Sequence, residues 1–512
     1  MEFKLDCQAD AQRKPRVFLF KRSSIHPDIQ RFVSDSLPAC CSVTMDLALK
    51  RPWVSLLVFF CVGMVHTDTG ETYGPQLKID PKTMTRIIQM AMTDKKILDG
   101  MATMATKNKA LKGLKGMKLK EFRPPEICTK LIPPKQMQTS VIITLTVAGK
   151  SFIGGKMEIT LKSKMDIMIK VTKHPTKHLG MEKTSCEVRL LAYKTNLPSN
   201  MIPKVVNKFL NTTLGKLLPG MMCPAADNVI GFMETKLEHM FEKKSFGENH
   251  TMWYEVVEDP EVLPDYKLIQ LKAKFQSSNG EIIEATPDPV PEGLPPKEEG
   301  KNAVYLPVAI INVAVTMMDG LFNSVITEIE GSTPTTDQLK EILPDADLPA
   351  GKEVRIEIAQ KVNVTFIVSP TESHMTTRSK ASFLSVEDGA ELLSIDMVQE
   401  CSANFGIKEE RLSISLESGS CRTTEISSPA GDVEPAKDFM KTVMDGWIPQ
   451  ANDVLSKNQI PLPSLLGLMY REGEATLSFG ENVLVFHVTI ETYDETEMAE
   501  RIRRYQEKPK TS

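Results

Sequence analysis

The chain is poor in the residues from which most enzymes and metal proteins are built. Eight His and nine Cys in 512 residues leave little material for a metal centre, and no two Cys stand in a C-x-x-C arrangement that would suggest zinc or redox chemistry. There is no G-x-S-x-G elbow, no P-loop, no H-E-x-x-H and no Cys/His nucleophile pattern. The expectation is therefore a protein that is not an enzyme and needs no metal and no cofactor. His174 and His178 are four residues apart, as ligands on a helix would be, but Pro175 makes that stretch a strand leading into a turn. Aromatics amount to only 6%, and none are interleaved with lysines in the way a nucleic-acid surface requires. No apolar run approaches the ~20 residues of a membrane-spanning helix. What is present is an ordinary globular composition, 41% hydrophobic and 25% charged, which excludes disorder and collagen and suffices for two or more cores. Met is abundant at 28 residues, favouring an adaptable interior over a rigid aromatic one.

After Met45 a short basic stretch (Lys50, Arg51) precedes the apolar run Trp53 to Val62, and small or polar residues follow from Gly63 to Gly70. This is the layout of a secretory signal. It predicts a signal peptide over 45–66, cleavage after Gly63, a secreted extracellular product, and a doubtful N-terminal extension over 1–44 with Met45 as the working initiator. Five cysteines follow the signal: Cys128, Cys186, Cys223, Cys401 and Cys421. In an oxidising compartment they are expected to form disulfides, with one thiol left over. Cys401 and Cys421 flank the alternating stretch Arg411 to Glu417 like the two sides of a hairpin, and Cys128 is the candidate for the odd thiol. Three N-x-[ST] sequons, at Asn211, Asn249 and Asn363, agree with secretion and are candidate glycosylation sites.

Residues 281–302 are rich in Pro and acid, with Pro287, Pro289, Pro291, Pro295 and Pro296 close together, and are expected to connect an N-terminal domain (67–280) to a C-terminal one (303–490). A charged tail (491–512) follows, read as a solvated end. Period-two alternation at Val141, Ile143, Leu145, Val147, at Met165, Ile167, Ile169, Val171, at Leu412, Ile414, Leu416 and at Val483, Val485 indicates antiparallel sheet. Two amphipathic helices stand out. From Met201 to Leu218, the residues Ile202, Val205, Val206, Phe209, Leu210, Leu214 and Leu217 share an apolar arc of about 180°. From Phe439, the residues Met440, Val443, Met444, Trp447, Ile448, Ala451, Val454 and Leu455 do the same. Ile202 aligns with Met440, Val205 with Val443, Phe209 with Trp447 and Leu210 with Ile448 at one offset of 238 residues, which points to duplication of a sheet-and-helix unit.

The stretch from Cys186 to Leu237 combines a 37-residue cysteine spacing, the first helix, and Leu218-Pro219-Gly220-Met221-Met222-Cys223-Pro224 followed by Val229 and Ile230. With Ile460-Pro461-Leu462-Pro463, Gly467 and Leu468 near the end, it resembles the BPI/LBP/PLUNC family in its long, two-domain form. The resemblance implies an α+β boomerang of two pseudo-repeated domains, each a twisted antiparallel sheet packed on long helices, joined by a central sheet. It also implies an apolar pocket for phospholipid acyl chains in each domain and a disulfide between Cys186 and Cys223; the pairing of Cys401 with Cys421 has no counterpart there.

Together these features suggest a secreted lipid-binding protein holding phospholipid or lipopolysaccharide acyl chains, with a role in innate, antibacterial defence. The pocket linings would be Ile202, Val205, Val206, Phe209, Leu210 and Leu217 in one half and Met440, Val443, Met444, Trp447 and Ile448 in the other. A net charge of −4 conceals opposite halves: residues 67–280 carry 33 Lys and Arg against 21 Asp and Glu, residues 281–512 carry 20 against 39. In the basic half, Lys107, Lys109, Lys112, Lys115, Lys118 and Lys120 interleave with apolar residues and are candidates to touch an anionic lipid or bacterial surface. The alternative is an abundant structural or matrix glycoprotein, of egg or mucosal fluid, that keeps the fold with little ligand affinity.

Overall fold

The computed structural model describes residues 72–100, 114–151, 156–176, 178–196, 204–247, 249–285, 288–289, 294–318, 322–465, 468, 470–471, 473–491 and 494–507. The expected extension (1–44) and signal segment (45–66) lie outside the described residues. One compact unit running from Tyr73 to the C-terminus holds every element named below.

In the N-terminal half, β1 (Gln76–Ile79) leads into α1 (Pro81–Met92). The strands β2 (Leu114–Phe122), β3 (Glu126–Ile132), β4 (Gln136–Ser151), β5 (Lys156–Lys173) and β6 (Leu179–Thr195) follow, then the long α2 (Lys204–Glu238). Strands β2 to β6 form one antiparallel sheet in the order β2-β4-β5-β6, with β3 also on β4. The alternation noted at Val141–Val147 and Met165–Val171 falls in β4 and β5, whose inward residues are almost fully buried except the half-buried Leu145. Short strands β7 (Lys244–Phe246) and β8 (His250–Val256) precede β9 (Lys267–Gln276) and β10 (Asn302–Pro307).

The C-terminal half begins with α3 (Val308–Thr316) and β11 (Ser324–Ile326). Next come β12 (Val354–Val368), β13 (Ser373–Ser385), β14 (Glu391–Lys408), β15 (Arg411–Leu416) and β16 (Arg422–Ser427), then α4 (Lys437–Lys457) and β17 (Ile460–Pro461). Here the sheet order is β11-β12-β13-β14-β15-β17, with β16 on β14. The chain closes with β18 (Thr476–Gly480), β19 (Val483–Val488) and α5 (Glu495–Glu507). A nine-stranded sheet joins the halves, taking strands from both ends of the chain: its main order is β18-β19-β10-β1-β9-β8-β7, and two short strands, Glu261–Val262 and Ile282–Glu284, also pair with β9. Every residue of β10 and β19 is buried, so these central strands are covered on both faces.

Three sequence expectations are corrected. The first helix does not stop at Leu218 but runs to Glu238, through Pro219 and Pro224. Each proline removes one backbone donor and would ordinarily break or kink the helix. The helix persists because its buried stripe does, through Leu214, Leu218, Met222, Ala226, Ile230, Met233 and Leu237 at three- and four-residue steps. The charged tail is not wholly solvated: α5 buries Met498 and Ile502, one turn apart, and packs against β2. Cys128, expected as the odd thiol, is disulfide-bonded.

The Pro-rich segment also makes defined contacts. Leu294 packs against Ala303, Tyr305, Val483 and Val485 on the central sheet. Lys297 pairs with Asp80 at 2.8 Å, both side chains being almost fully buried. Asp80 is the N-cap of α1 and accepts from the Lys82 amide at 2.8 Å, with Pro81 at the first helical position. The segment between the halves thus fixes where α1 begins.

Candidate functional site

The inner faces of α1, α2 and the β4–β5 pair meet along an apolar seam. It is lined by Ile88 and Met92 of α1, Val141 and Ile143 of β4, Met165 and Ile167 of β5, and Met222, Ala225, Ala226 and Val229 of α2. All ten side chains are buried and none is polar. The open volume is about 20 Å³, roughly the room one water needs. Two features make this closed seam adaptable. Three of its walls are Met, unbranched and flexible side chains, of which Met222 accepts from the Ser163 hydroxyl through its sulfur at 3.4 Å, and the two alanines of α2 leave the helix backbone close to the gap.

The helix is held at this point from the side. Cys223, next to Met222 and two residues before Ala225, is joined to Cys186 of β6, with Cα atoms 6.0 Å apart. The bond links mid-helix to mid-strand, not the two ends, because α2 continues past the prolines. Lys183 of β6 donates to the Cys223 carbonyl at 3.2 Å and pairs with Asp227 at 2.5 Å. A second disulfide, Cys401–Cys421, ties β14 to the residue preceding β16.

Of the expected pocket residues, Ile202 lies outside the described residues. Val205, Val206, Phe209, Leu210 and Leu217 belong to α2, but their side chains lie outside them as well. In the C-terminal half Met440, Val443, Met444, Trp447 and Ile448 are all buried on α4. Trp447 alone among them borders a recess of about 470 Å³, lined also by Phe322, Asn323, Ser324, Pro449, Gln450, Ala451, Asp453 and Val454. Its indole N–H donates to the Phe322 carbonyl at 3.4 Å.

Among the expected surface lysines, Lys107, Lys109 and Lys112 lie outside the described residues. Lys115, Lys118 and Lys120 fall on β2, and exposed Lys120 pairs with Glu158 at 2.6 Å. Register adds two lysines that the sequence pattern did not single out. Lys115 stands opposite Lys150 of β4, and Lys150 opposite Lys156 of β5, so three lysines occupy one row across adjacent strands. Lys150 and Lys156 are exposed. Like charges placed directly opposite destabilise a sheet, a cost that an anionic partner would relieve.

Asn211, Asn249 and Asn363 are all exposed. His174 and His178 lie at the turn between β5 and β6, where the His174 amide donates to the His178 carbonyl at 2.7 Å. Among the described residues no group of three or more metal-ligating side chains converges, and no helix is long and apolar enough to cross a membrane. Sequence reasoning passed over the seam-lining part of α2 because Leu218-Pro219-Gly220 looks like a helix end; the four-residue apolar stripe continuing to Leu237 was the available signal.

Comparison with known proteins places this geometry. The model of the LBP/BPI/CETP family's N-terminal domain matches residues 76–235, from β1 into the last turn of α2. BPI fold-containing family B member 6 of Homo sapiens is 27% identical over 460 residues, covering 85% of this chain and all of that protein. BPI fold-containing family B member 3 of Rattus norvegicus is 21% identical over 477 residues, covering 84% of this chain and 96% of that one. The crystal structure of lipopolysaccharide binding protein matches with a TM-score of 0.54 at 13% identity, over 83% of this chain and all of that one. The α+β class expected from the sequence is the class observed. The N-terminal half thus matches the N-terminal domain of the LBP/BPI/CETP family, and the chain through both halves is similar in sequence to BPI fold-containing family B proteins and in fold to lipopolysaccharide binding protein.

Proposed function

We propose that the protein is a secreted lipid carrier that takes alkyl chains into the seam between α1, α2 and the β4–β5 pair. Similarity to the LBP/BPI/CETP family supports lipid binding; the finer reading rests on the seam, a wholly apolar slot walled by three methionines. Methionine side chains can swing aside at little cost, so a slot closed without ligand can widen around one. The ligand class is a phospholipid or the acyl chains of lipopolysaccharide, with the lysine row of β2, β4 and β5 meeting the anionic surface that supplies it. Secretion is supported by the signal-like segment, by disulfide bonding at Cys128, Cys186–Cys223 and Cys401–Cys421, and by the three exposed sequon asparagines; a place in antibacterial defence is the physiological context we infer for such a carrier.

One observation favours the alternative of a matrix glycoprotein with little affinity: the seam as it stands holds about one water. Native mass spectrometry of secreted protein, before and after incubation with phospholipid vesicles, separates the two. A carrier gains mass increments of one or two lipids, and replacing Ala226 by Leu, which fills the slot, removes them. A bare protein under both conditions would leave the matrix reading.

A further inference from the structure

Strand β9 carries an amine where its pattern calls for a hydrophobe. Alternate residues Lys267, Ile269, Leu271, Ala273 and Phe275 face inward and are buried, while the residues between them are half exposed. Lys267 is only 3% exposed. Directly across its two pairings stand Ile79 and Val262, both buried and apolar. Among the described residues no carboxylate, hydroxyl or carbonyl bonds the ammonium, and burial alone pushes the amine down to about 7. Burying most of a lysine among apolar neighbours is a costly placement, and a buried titratable group with no structural role is a marker of function.

Its position relates it to the seam. Ile79, opposite Lys267, is followed by Asp80, the cap of α1, and the same helix presents Ile88 and Met92 to the seam. At 1.5 Å of rise per residue, the seam starts roughly 10 Å beyond the helix start and extends another turn. The amine and the slot therefore lie at opposite ends of one helix, at a separation that a long alkyl chain spans.

We propose that Lys267 receives the anionic head, a carboxylate or a phosphate, of a single-chain amphiphile whose tail lies in the seam. The inference rests on the alkyl-chain reading above and adds the head group to it. The ammonium supplies a charge in the inward phase of β9, otherwise Ile269, Leu271, Ala273 and Phe275, and an anionic oxygen beside it gives it both a counter-charge and an acceptor. A neutral head would leave it unpaired.

The test uses the full chain, stripped of lipid, titrated with palmitic acid, methyl palmitate and hexadecyl phosphate by displacement of a fluorescent alkyl probe. At least one of the two anions is expected to bind tenfold or more tightly than the ester. Which of the two does so identifies the head group. Lys267→Met, an apolar replacement of similar length, is expected to leave ester affinity within twofold and to bring every ligand to that level. Equal affinity of the parent for the anions and the ester, or an anion preference that survives Lys267→Met, would overturn the role of Lys267 while leaving the alkyl-chain reading intact. No binding of any of the three would overturn both.

Discussion

The two halves repeat one frame, a curled antiparallel sheet with a long helix across it, and fill it differently. In the N-terminal half α2 meets the sheet through Met222, Ala225, Ala226 and Val229, and the facing strands offer Met165, Ile143 and Ile167. In the C-terminal half α4 meets it through Met440, Val443, Met444, Trp447 and Ile448, each at most 2% exposed, with Phe322 against the indole. Small and flexible residues line the first helix contact, and a large rigid aromatic anchors the second. The staples differ in the same sense. Cys186–Cys223 joins helix to sheet beside the seam, whereas Cys401–Cys421 stays within the sheet layer of its half. A repeated backbone therefore does not imply a repeated interior: placement of the helix is shared, while side-chain size decides whether the contact can open.

The strongest way to break this comparison is to truncate both helices. Trp447→Ala removes a rigid, fully buried ring and is expected to cost about 3–5 kcal/mol in chemical denaturation. Met222→Ala should fall near the low end for buried Met, about 2 kcal/mol, because the neighbouring methionines can relax into the space. Equal costs would mean that the seam is as rigidly packed as the C-terminal core.

The disulfides give the next effect. Their spacings of 37 and 20 residues predict closely similar losses, about 3–4 kcal/mol each in the chain-entropy model. Cys223→Ala and Cys421→Ala should therefore lower the melting temperature alike, yet only Cys223→Ala should change the rate at which lipid enters. Identical lipid kinetics in both variants would detach the staple from the seam.

How far this difference could be seen in the sequence depends on the element. Long strands with strict alternation, such as Met165 to Val171, and α4, whose apolar arc has no breaker except the exposed Pro449, are legible because periodicity and burial agree. The second half of α2 is not, since Pro219 and Pro224 argue locally for an end and tertiary packing overrides them. Lys267 was legible in principle, as the residue out of character in the inward phase of β9, but short apolar strands draw attention to their hydrophobes. The lysine row was hidden for a different reason. Lys115, Lys150 and Lys156 become neighbours only through the pairing register, which no local pattern specifies.

Lys267 gives a pH-dependent effect, carried by β9 of the central sheet. Its amine titrates near 7 in the folded chain against 10.5 when free, so the unfolded state holds more protons between those values. Stability should accordingly rise with pH across that window, by about 1.4 kcal/mol per unit at its steepest. In Lys267→Met this contribution disappears and stability at pH 7 increases. Parallel pH profiles for parent and variant would show that the amine finds a partner in the folded protein.

The smallest effect on stability belongs to the lysine row, and it is the one that separates a structural surface from a functional one. Lys150 and Lys156 face each other across β4 and β5 and are exposed, so replacing both with Gln removes a like-charge contact and should stabilise the sheet by a few tenths of a kcal/mol. Binding should move the opposite way. Each lysine near an anionic lipid surface contributes about 1 kcal/mol, so the double variant should partition into anionic vesicles more than tenfold less at low salt. Because this attraction is screened, the gap between parent and variant should narrow as salt rises from 0.01 M towards about 0.15 M, where the Debye length falls to roughly 8 Å. No corresponding basic row is expected on the acidic C-terminal half, where charge reversal at exposed Glu425 should leave vesicle binding unchanged. A double variant that binds anionic vesicles as the parent does would make the row an ordinary solvated face.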